Sequence, residues 1–140
     1  MNIEECLEKG LLKKDRPDPE KTAKSINIAE AKLEKAKSLL KLKIPDMAEV
    51  NAYSAMFHAY RALLFKDGLR EKSHYAIYVY LKEKYSNKIE PKFLNELNVL
   101  RLERHGIFYG FDEPEINEED LKKTILLIKE FIKKIKELLQ

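Results

Sequence analysis

Two long stretches of the chain repeat apolar residues at alternating intervals of three and four, the spacing of a helix with one buried face. The first stretch predicts a helix from about residue 19 to 42, and the second predicts a helix that follows Asn117. Start signals precede both, because Asp18 comes before Pro19 and Asn117 comes before Asp120. Each apolar stripe must be buried against another helix, so the chain is constrained to a helical bundle. The two stripes are Ile26, Ala29, Leu33, Ala36 and Leu40, and Leu121, Ile125, Ile128, Ile132, Ile135 and Leu139.

The middle of the chain predicts a third helix that is apolar on almost every side. Pro45 is expected to stop the preceding segment, and Asp46 with Glu49 resembles a capping box at the start of a helix that ends near Phe65. A helix with so little polar surface is expected at the centre of the bundle. Its narrow polar strip then needs water, a partner chain or an internal network, and it consists of Asn51, Ser54, His58 and Arg61.

Two further helices are predicted after the third. The apolar run 75–81 could be a buried strand by composition, but Ser73 is a good helix cap, so a helix is preferred. Pro91 opens the next helix, which runs to about Ile107. The predicted fold class is all-α, an antiparallel four-helix bundle with one or two additional short helices. Residues 1–140 form one domain, in which 1–17 is a short N-terminal extension with a weak helix over 3–14, and no strand pairing is expected.

Composition excludes several classes of protein. The net charge of +3 is too small to indicate nucleic-acid binding without a local patch. Cys6 is the single cysteine, so no intrachain disulfide or cysteine-based metal cluster can form, which fits a reducing, cytoplasmic compartment. No signal peptide and no membrane-spanning run are predicted. The 22 Lys, 18 Glu and one Gln resemble the composition of thermophile proteins.

The fifth predicted helix contains an arginine where its apolar stripe should continue. Phe93, Leu97 and Leu100 share one face, and the next position on that face is Arg104. A buried charge is costly unless it is paired or reaches a wet cleft. Arg104 is therefore predicted either to clamp a phosphate or to pair with a carboxylate of its own bundle.

Other side chains near Arg104 could complete a site. His105 could act as a base or could simply be a cation at a helix C-terminus. Tyr109 could bond a phosphate or stack on a base, or could pack over the helix end. The candidate phosphate-binding residues are Arg104, Arg101, Tyr109, Arg61, His58 and Asn51, whereas His74 is expected to be structural. No spacing typical of metal ligands occurs, and no cofactor is predicted.

Two motifs resemble the small archaeal and bacterial HEPN-domain proteins. The first is AYSAMFHAYRALLFKDGLREKSH, residues 52–74, and the second runs from Arg104 to Gly110. The resemblance covers roughly residues 25–138. It implies a helical bundle that forms a homodimer. Many relatives are ribonucleases of toxin–antitoxin, CRISPR or stress systems, and many are paired with a small nucleotidyltransferase encoded beside them. In active relatives an Arg is followed four to six residues later by a His, in a metal-independent cleft between two protomers.

The second motif departs from the family pattern at one position. Arg104 matches the family Arg, but Tyr109 stands where the His is expected, and a tyrosine is a poor base at neutral pH. The resulting hypothesis is a HEPN-like dimer that binds RNA or a nucleotide phosphate at its interface, as the toxin-like partner of a nucleotidyltransferase, with a degenerate catalytic motif. One alternative is an active endoribonuclease that uses Arg104 with His105 or Tyr109. The other is a non-catalytic interaction scaffold.

Overall fold

The computed structural model describes residues 1–112 and 115–140, which form a mostly helical fold. Within these ranges, no helix combines the length and the apolar character that crossing a lipid bilayer requires. Four long helices and shorter ones beside them confirm the predicted all-α class. The elements are α1 (Ile3–Glu8), β1 (Leu12–Lys14), α2 (Pro19–Lys41), α3 (Pro45–Asp67), β2 (Leu69–Glu71), α4 (His74–Lys84), α5 (Pro91–Tyr109) and α6 (Glu118–Leu138).

The two predicted stripes form the buried faces of α2 and α6. All five stripe residues of α2 are buried, and the α6 stripe is buried up to its end at the partly exposed Leu139. The Asp18 carboxylate accepts a hydrogen bond from the Lys21 N–H at 2.9 Å, and the Asn117 side chain accepts one from the Asp120 N–H at 3.1 Å. The predicted start signals are therefore the actual caps of these helices.

Helix α3 lies at the centre of the bundle, as its composition predicts. It packs against α2, α4, α5, α6 and β2. Tyr60 is completely buried, and its ring lies 4.2 Å from the ring of Phe131 in α6. Phe131 in turn lies 5.2 Å from the ring of Phe93 in α5. These three rings join the three helices into a single core.

The start of α3 differs from the prediction. Pro45 lies in the first turn of the helix. Ile44 is the N-cap residue, and its side chain makes no capping hydrogen bond. The Asp46 carboxylate accepts a hydrogen bond from the N–H of the next residue, and Glu49 is buried instead of reaching back to the helix start. The capping-box prediction is therefore wrong. A proline suits the first helical turn, so the helix begins at Pro45, one residue before the predicted cap.

Two short strands contradict the expectation that no strand pairing occurs. β1 and β2 pair antiparallel, with Leu12 opposite Glu71 and Lys14 opposite Leu69. The predicted helix over residues 3–14 is also wrong beyond Glu8. Gly10 adopts a φ of +72°, a left-handed conformation that ends the helix and lets the chain turn into β1.

The strand pair attaches the N-terminal segment to the bundle. The Asp15 N–H donates to the Gly68 carbonyl at 2.8 Å, and the Asp18 N–H donates to the Phe65 carbonyl at 3.0 Å. Cys6 and Leu12 are buried in the same core as the long helices. The pairing also fixes Arg70 and Glu71 beside the C-terminal half of α3, where they take part in the site described next.

Candidate anion-binding site

The apolar face of α5 ends at Arg104. Phe93, Leu97 and Leu100 are buried, and Arg104 is half-buried. Its guanidinium carbon lies 5.2 Å from the centre of the Tyr53 ring and 5.8 Å from that of Phe108. Ring faces attract a cation, but they leave its charge without a counter-ion. None of the ion pairs in the described part of the chain includes Arg104, and its buried Nε has no hydrogen-bond partner there.

Arg101 lies almost one turn earlier on α5 and has a similar environment. Its guanidinium carbon is 5.6 Å from the centre of the Tyr75 ring in α4. One of its Nη groups donates to the Asn98 side chain at 3.0 Å, and its buried Nε is without a partner in the described residues. Two neighbouring arginines therefore hold unsatisfied donors on the same side of the molecule. Such donors favour an anion with several oxygen atoms.

His74 joins these arginines to α3. The cap that places it is confirmed, because the Ser73 hydroxyl accepts hydrogen bonds from the Tyr75 and Ala76 N–H groups at 3.1 and 3.3 Å. Nδ1 of His74 shares a hydrogen bond of 2.5 Å with the Tyr53 hydroxyl, and its ring stacks on Phe57 at 4.2 Å.

The electrostatics of this pair follow from burial and from the arginines. Burial lowers the pKa of His74 below its ordinary value, and the positive charges of Arg104, Arg101 and Arg61 lower it further. Burial also raises the pKa of Tyr53 to about 12, although Arg104 and Arg101 oppose this effect. At neutral pH the imidazole is thus uncharged and the phenol keeps its proton. We call Arg61, Arg101 and Arg104, with Tyr53, Phe57 and His74, the cationic cluster.

Arg61 extends the cationic cluster along α3. Its guanidinium carbon lies 6.0 Å from the centre of the Phe57 ring, and its Nε lies 2.8 Å from a carboxylate oxygen of Glu71. The N–H does not point at that oxygen, so this contact is an ion pair and not a hydrogen bond. The next polar residue on this side is His58, whose Nδ1 is buried without a partner among the described residues. Burial lowers its pKa, as do Arg61, Lys32 and His74.

The predicted polar strip does not act as one unit. His58 and Arg61 lie at a cleft together, beside residues of α2 and β2. Asn51 instead donates a hydrogen bond of 2.9 Å to the Met47 carbonyl one turn earlier in the same helix. Its side chain is therefore partly engaged in α3 itself, and its assignment to a phosphate site stays a prediction.

The other side of α5 carries the opposite charge. Glu96 and Glu103 line a cavity of about 640 Å³ together with Glu49, and no described cationic side chain lines it. Burial, a hydrogen bond with Glu103 and nearby negative charges raise the pKa of Glu49 to about 8. A phosphate would be repelled by this acidic lining. Within the described ranges, no group of three or more carboxylate, histidine or cysteine side chains is arranged to hold a metal ion.

The family of the chain follows from its comparison with known protein families. The HEPN domain model matches residues 22–138, which include the four long helices apart from the first turn of α2, and every residue of the cationic cluster. The chain belongs to the HEPN family. The resemblance drawn from the two sequence motifs is thereby confirmed. Comparison with curated proteins gave no match.

Arg104 and Tyr109 lie on different faces of α5. Arg104 and Phe108 share one face, whereas His105 lies on the next, where its ring is 4.9 Å from that of Tyr109. His105 is exposed, and Tyr109 is 70 % exposed. Within one HEPN chain, the rings against Arg104 are thus those of Tyr53 and Phe108. The catalytic roles of Arg104, His105 and Tyr109 stay predictions.

Sequence reasoning assigned His74 a structural role, and the HEPN fold brings it into the cationic cluster. The available signal was the Lys-Ser-His triplet of the first motif, in which Ser73 caps the helix and fixes the residue that follows it. The local capping role is real, but it also aims the imidazole at Tyr53. That contact joins residues 21 positions apart on different helices, so no repeat in the sequence predicts it.

Proposed function

We propose that this HEPN protein binds RNA or a nucleotide phosphate at the cationic cluster. The observation that supports it most is the state of Arg104, which is half-buried against aromatic rings and has no carboxylate partner in the described residues. Retaining such a charge is costly unless an anion completes its surroundings. The scaffold alternative expects Arg104 to be paired inside its own bundle, and the described contacts include no such pair.

The arginines of the cationic cluster and the adjacent Tyr75 suit a nucleotide as ligand. Guanidinium groups bind phosphate oxygens with two parallel hydrogen bonds. Tyr75, against which Arg101 lies, is 38 % exposed and offers a ring for stacking. Base stacking on exposed aromatic rings next to arginines is the common mode of binding single-stranded nucleic acid. We therefore prefer RNA or a nucleotide over an inorganic anion.

We place this site beside the interface of a homodimer. Several large apolar side chains at the C-terminal end of α5 and just beyond it are exposed, which favours contact with a second copy. They begin one turn or less from Arg104, so a dimer formed here would put two cationic clusters near one cleft. The residues are Leu102, Phe108, Tyr109 and Phe111, with exposures from 52 to 107 %. A toxin-like role beside a small nucleotidyltransferase is part of the proposal and is based on the family resemblance.

Fluorescence anisotropy with a labelled oligouridylate and with a mononucleotide tests the binding function. Arg104→Ala should weaken the binding of both ligands by at least about tenfold, the scale of one lost charge-assisted contact. Lys133→Ala removes an exposed positive charge of α6 and is the matched control, with an expected change below about twofold. Equal affinities for wild type and Arg104→Ala would remove the proposed function.

A second candidate function is metal-independent RNA cleavage, which the position of His74 favours. In the tautomer whose Nδ1–H donates to the Tyr53 oxygen, Nε2 carries no proton and is a candidate base in the same cluster as Arg104, whose charge acts on the His74 pKa. It could take the proton of an RNA 2′-hydroxyl, which would attack the adjacent phosphorus while Arg104 stabilises the charge that develops. The 5′-oxygen of the next nucleotide would leave with a proton taken from water, and a 2′,3′-cyclic phosphate would remain. His74 would then release its proton to solvent, which restores the base.

A cleavage assay on single-stranded RNA distinguishes the candidate bases. Loss of activity in His74→Ala with retained activity in His105→Ala and Tyr109→Phe supports this second function. Retained activity in His74→Ala, with loss of activity in His105→Ala or Tyr109→Phe, supports the base predicted from the sequence. If wild type and all variants leave the RNA intact while binding persists, binding without cleavage is the function.

A further inference from the structure

A second cleft rich in positive charge lies between α2, α3 and β2. Its volume is about 330 Å³, and five cationic side chains line it against the single carboxylate of Glu71. A narrow cleft with one dominant sign of charge concentrates ligands of the opposite charge. The five cations are Lys21, Lys24, Arg61, Arg70 and Lys72. Arg61 pairs with Glu71 and Arg70 pairs with Asp15 just outside the cleft, so the excess positive charge comes from the three lysines. We call this the lysine cleft.

The lysine cleft contains a buried polar atom with no hydrogen-bond partner in the described residues. It is Nδ1 of His58, whereas the buried Nε of Arg61 is neutralised by Glu71 at 2.8 Å. Buried polar atoms in folded proteins are nearly always satisfied, so this exception indicates a ligand or ordered water. Arg61 and Lys21 also lie over the same Phe65 ring, at 5.1 and 5.7 Å from its centre, which brings α2 and α3 charges together.

The lysine cleft continues into the cationic cluster through Arg61, which belongs to both. Arg61 lies against Phe57, Phe57 stacks on His74, and His74 bonds the Tyr53 whose ring supports Arg104. These side chains are partly or fully buried, and they place the two groups of cations side by side with Arg61 shared between them.

We infer that the lysine cleft is a second phosphate subsite and that, with the cationic cluster, it forms a path for one strand of RNA. This inference rests on the proposed function, and it names the ligand as single-stranded RNA longer than a mononucleotide. A single strand suits this arrangement, because its backbone phosphates can pair with the cations while an unstacked base lies on the ring of Tyr75, which is 38 % exposed beside Arg101. The rings of Tyr53 and Phe65 are buried and only support the cations. An RNA duplex keeps its bases stacked inside and would leave the Tyr75 ring unused.

Ligand length provides the first test. Lys21→Ala/Lys24→Ala should weaken the binding of an oligouridylate of about ten nucleotides by about tenfold or more, because roughly two phosphate contacts are lost. The binding of the dinucleotide UpU, which fits the cationic cluster alone, should not change. The slope of log affinity against log salt for the longer RNA should fall by about 0.7 for each lost contact. Lys129→Ala/Lys133→Ala, on the exposed side of α6, is the matched control and should leave both affinities and the slope unchanged.

The carboxylate of the cleft provides a second test with the opposite sign. Glu71→Gln keeps the shape of the side chain but removes the one negative charge, which frees Arg61 for phosphate. The longer RNA should then bind more tightly, by about threefold or more, and UpU should gain less, because Arg61 is the one residue of the cationic cluster that this change affects. Because a gain of affinity cannot result from misfolding, this variant remains informative if the lysine variant loses stability.

The outcomes separate this inference from the proposed function. If Arg104→Ala weakens both ligands while the lysine variant and Glu71→Gln change neither affinity nor salt slope, the second subsite is wrong and the proposed function stands. If Arg104→Ala has no effect but the lysine variant weakens the longer RNA, the proposed function is wrong and the subsite stands. Equal weakening of UpU and the longer RNA by the lysine variant would overturn the subsite, because it would show a general loss of charge attraction.

Discussion

The guanidinium of Arg104 lies 5.2 Å from the centre of the Tyr53 ring, so an α5 cation is held by an α3 aromatic face and not by a carboxylate. The hydroxyl of the same tyrosine contacts His74. One residue of the central helix thus sets the positions of both the arginine and the imidazole. This arrangement leads to the first of four predictions.

The pKa of His74 depends on Arg104. The imidazole should titrate below its ordinary pKa in the wild-type protein, because burial and the neighbouring arginines disfavour the charged form. Of the three arginines, Arg104 lowers the His74 pKa most, so Arg104→Ala should raise that pKa toward its ordinary value. Histidine chemical shifts followed by NMR from about pH 4 to 8 measure the His74 pKa in wild type and in Arg104→Ala. This range brackets the ordinary histidine pKa of about 6.5.

Arg70→Ala provides the control for that titration. Arg70 is a cation of β2 that pairs with Asp15 at 2.9 Å and is not among the charges that shift His74. Arg70→Ala should therefore leave the His74 pKa unchanged. A His74 pKa that does not move in Arg104→Ala would mean that the two side chains are further apart in solution than described.

The exposed apolar end of α5 should form the homodimer contact. Leu102→Glu places a charge in that surface and should raise the dimer dissociation constant by at least about tenfold, because an unpaired charge at an interface costs more than about 1.4 kcal/mol. Leu126→Glu makes the same change at an α6 leucine of similar exposure, 63 % against 57 %. Analytical ultracentrifugation should show a dimer for this control. A wild-type monomer at micromolar concentration, or an unaffected Leu102→Glu dimer, would contradict the proposed interface.

The left-handed glycine before β2 should be hard to replace. Gly68 has a φ of +78°, and an added Cβ would lie 3.0 Å from the Asp15 carbonyl oxygen and 3.0 Å from Cδ of Pro17. Gly68→Ala should therefore lower the free energy of unfolding by about 2–4 kcal/mol, the sum of backbone strain and crowding. Urea denaturation followed by circular dichroism measures this change.

Gly10→Ala separates the two causes of that loss. Gly10 has a similar φ of +72°, but an added Cβ would meet no heavy atom within 4 Å. This variant should lose only about 1 kcal/mol, the cost of the left-handed backbone. Equal losses in the two variants would show that the contact with Asp15 and Pro17 does not constrain Gly68.

Glu49 should make stability depend on pH. Its pKa is raised to about 8 in the folded protein, so the folded state binds a proton more tightly than the unfolded state. The stabilising contribution is complete below the ordinary carboxyl pKa, and it is lost as pH rises through about 8. Glu49→Gln mimics the protonated form and should raise the free energy of unfolding at pH 9 by about 2 kcal/mol.

The same variant should change little at pH 5, where the wild-type side chain is already protonated. Glu137→Gln is the control, because Glu137 is exposed near the end of α6. It should leave the free energy of unfolding unchanged at both pH values. A Glu49→Gln variant that is destabilised at pH 9 would show that the carboxylate is stabilised by a partner.

The long helices could be predicted from the sequence because their burial pattern is local. The stripes of α2 and α6 repeat many times, and each repetition adds to the same signal. The strand pair could not be predicted in this way, since three residues carry no period and their partners lie more than 50 positions away. Glu49 was misassigned for a related reason. Its spacing from Asp46 fits a local cap, but its surroundings are set by Glu96 and Glu103 of another helix.

The candidate site was predictable only in part. Arg104 stood out because it interrupts an apolar stripe, which is a contrast within one helix. The role of His74 and the lysines of α2 depend on how helices pack side by side, and no spacing along the chain encodes those contacts. Twenty-two lysines also hide the few that share a cleft, because most serve only to solvate the surface.

The family match begins at residue 22, but β1 lies before that point and supplies the only described pairing partner of β2. A shortened version of the protein that starts at the family boundary would therefore leave the edge of β2 bare and loosen Glu71, the residue that positions Arg61. Such a version could still fold as a bundle and yet give a misleading picture of what the intact chain binds. For this protein, the unit to express and assay is wider than the unit that sequence comparison delimits.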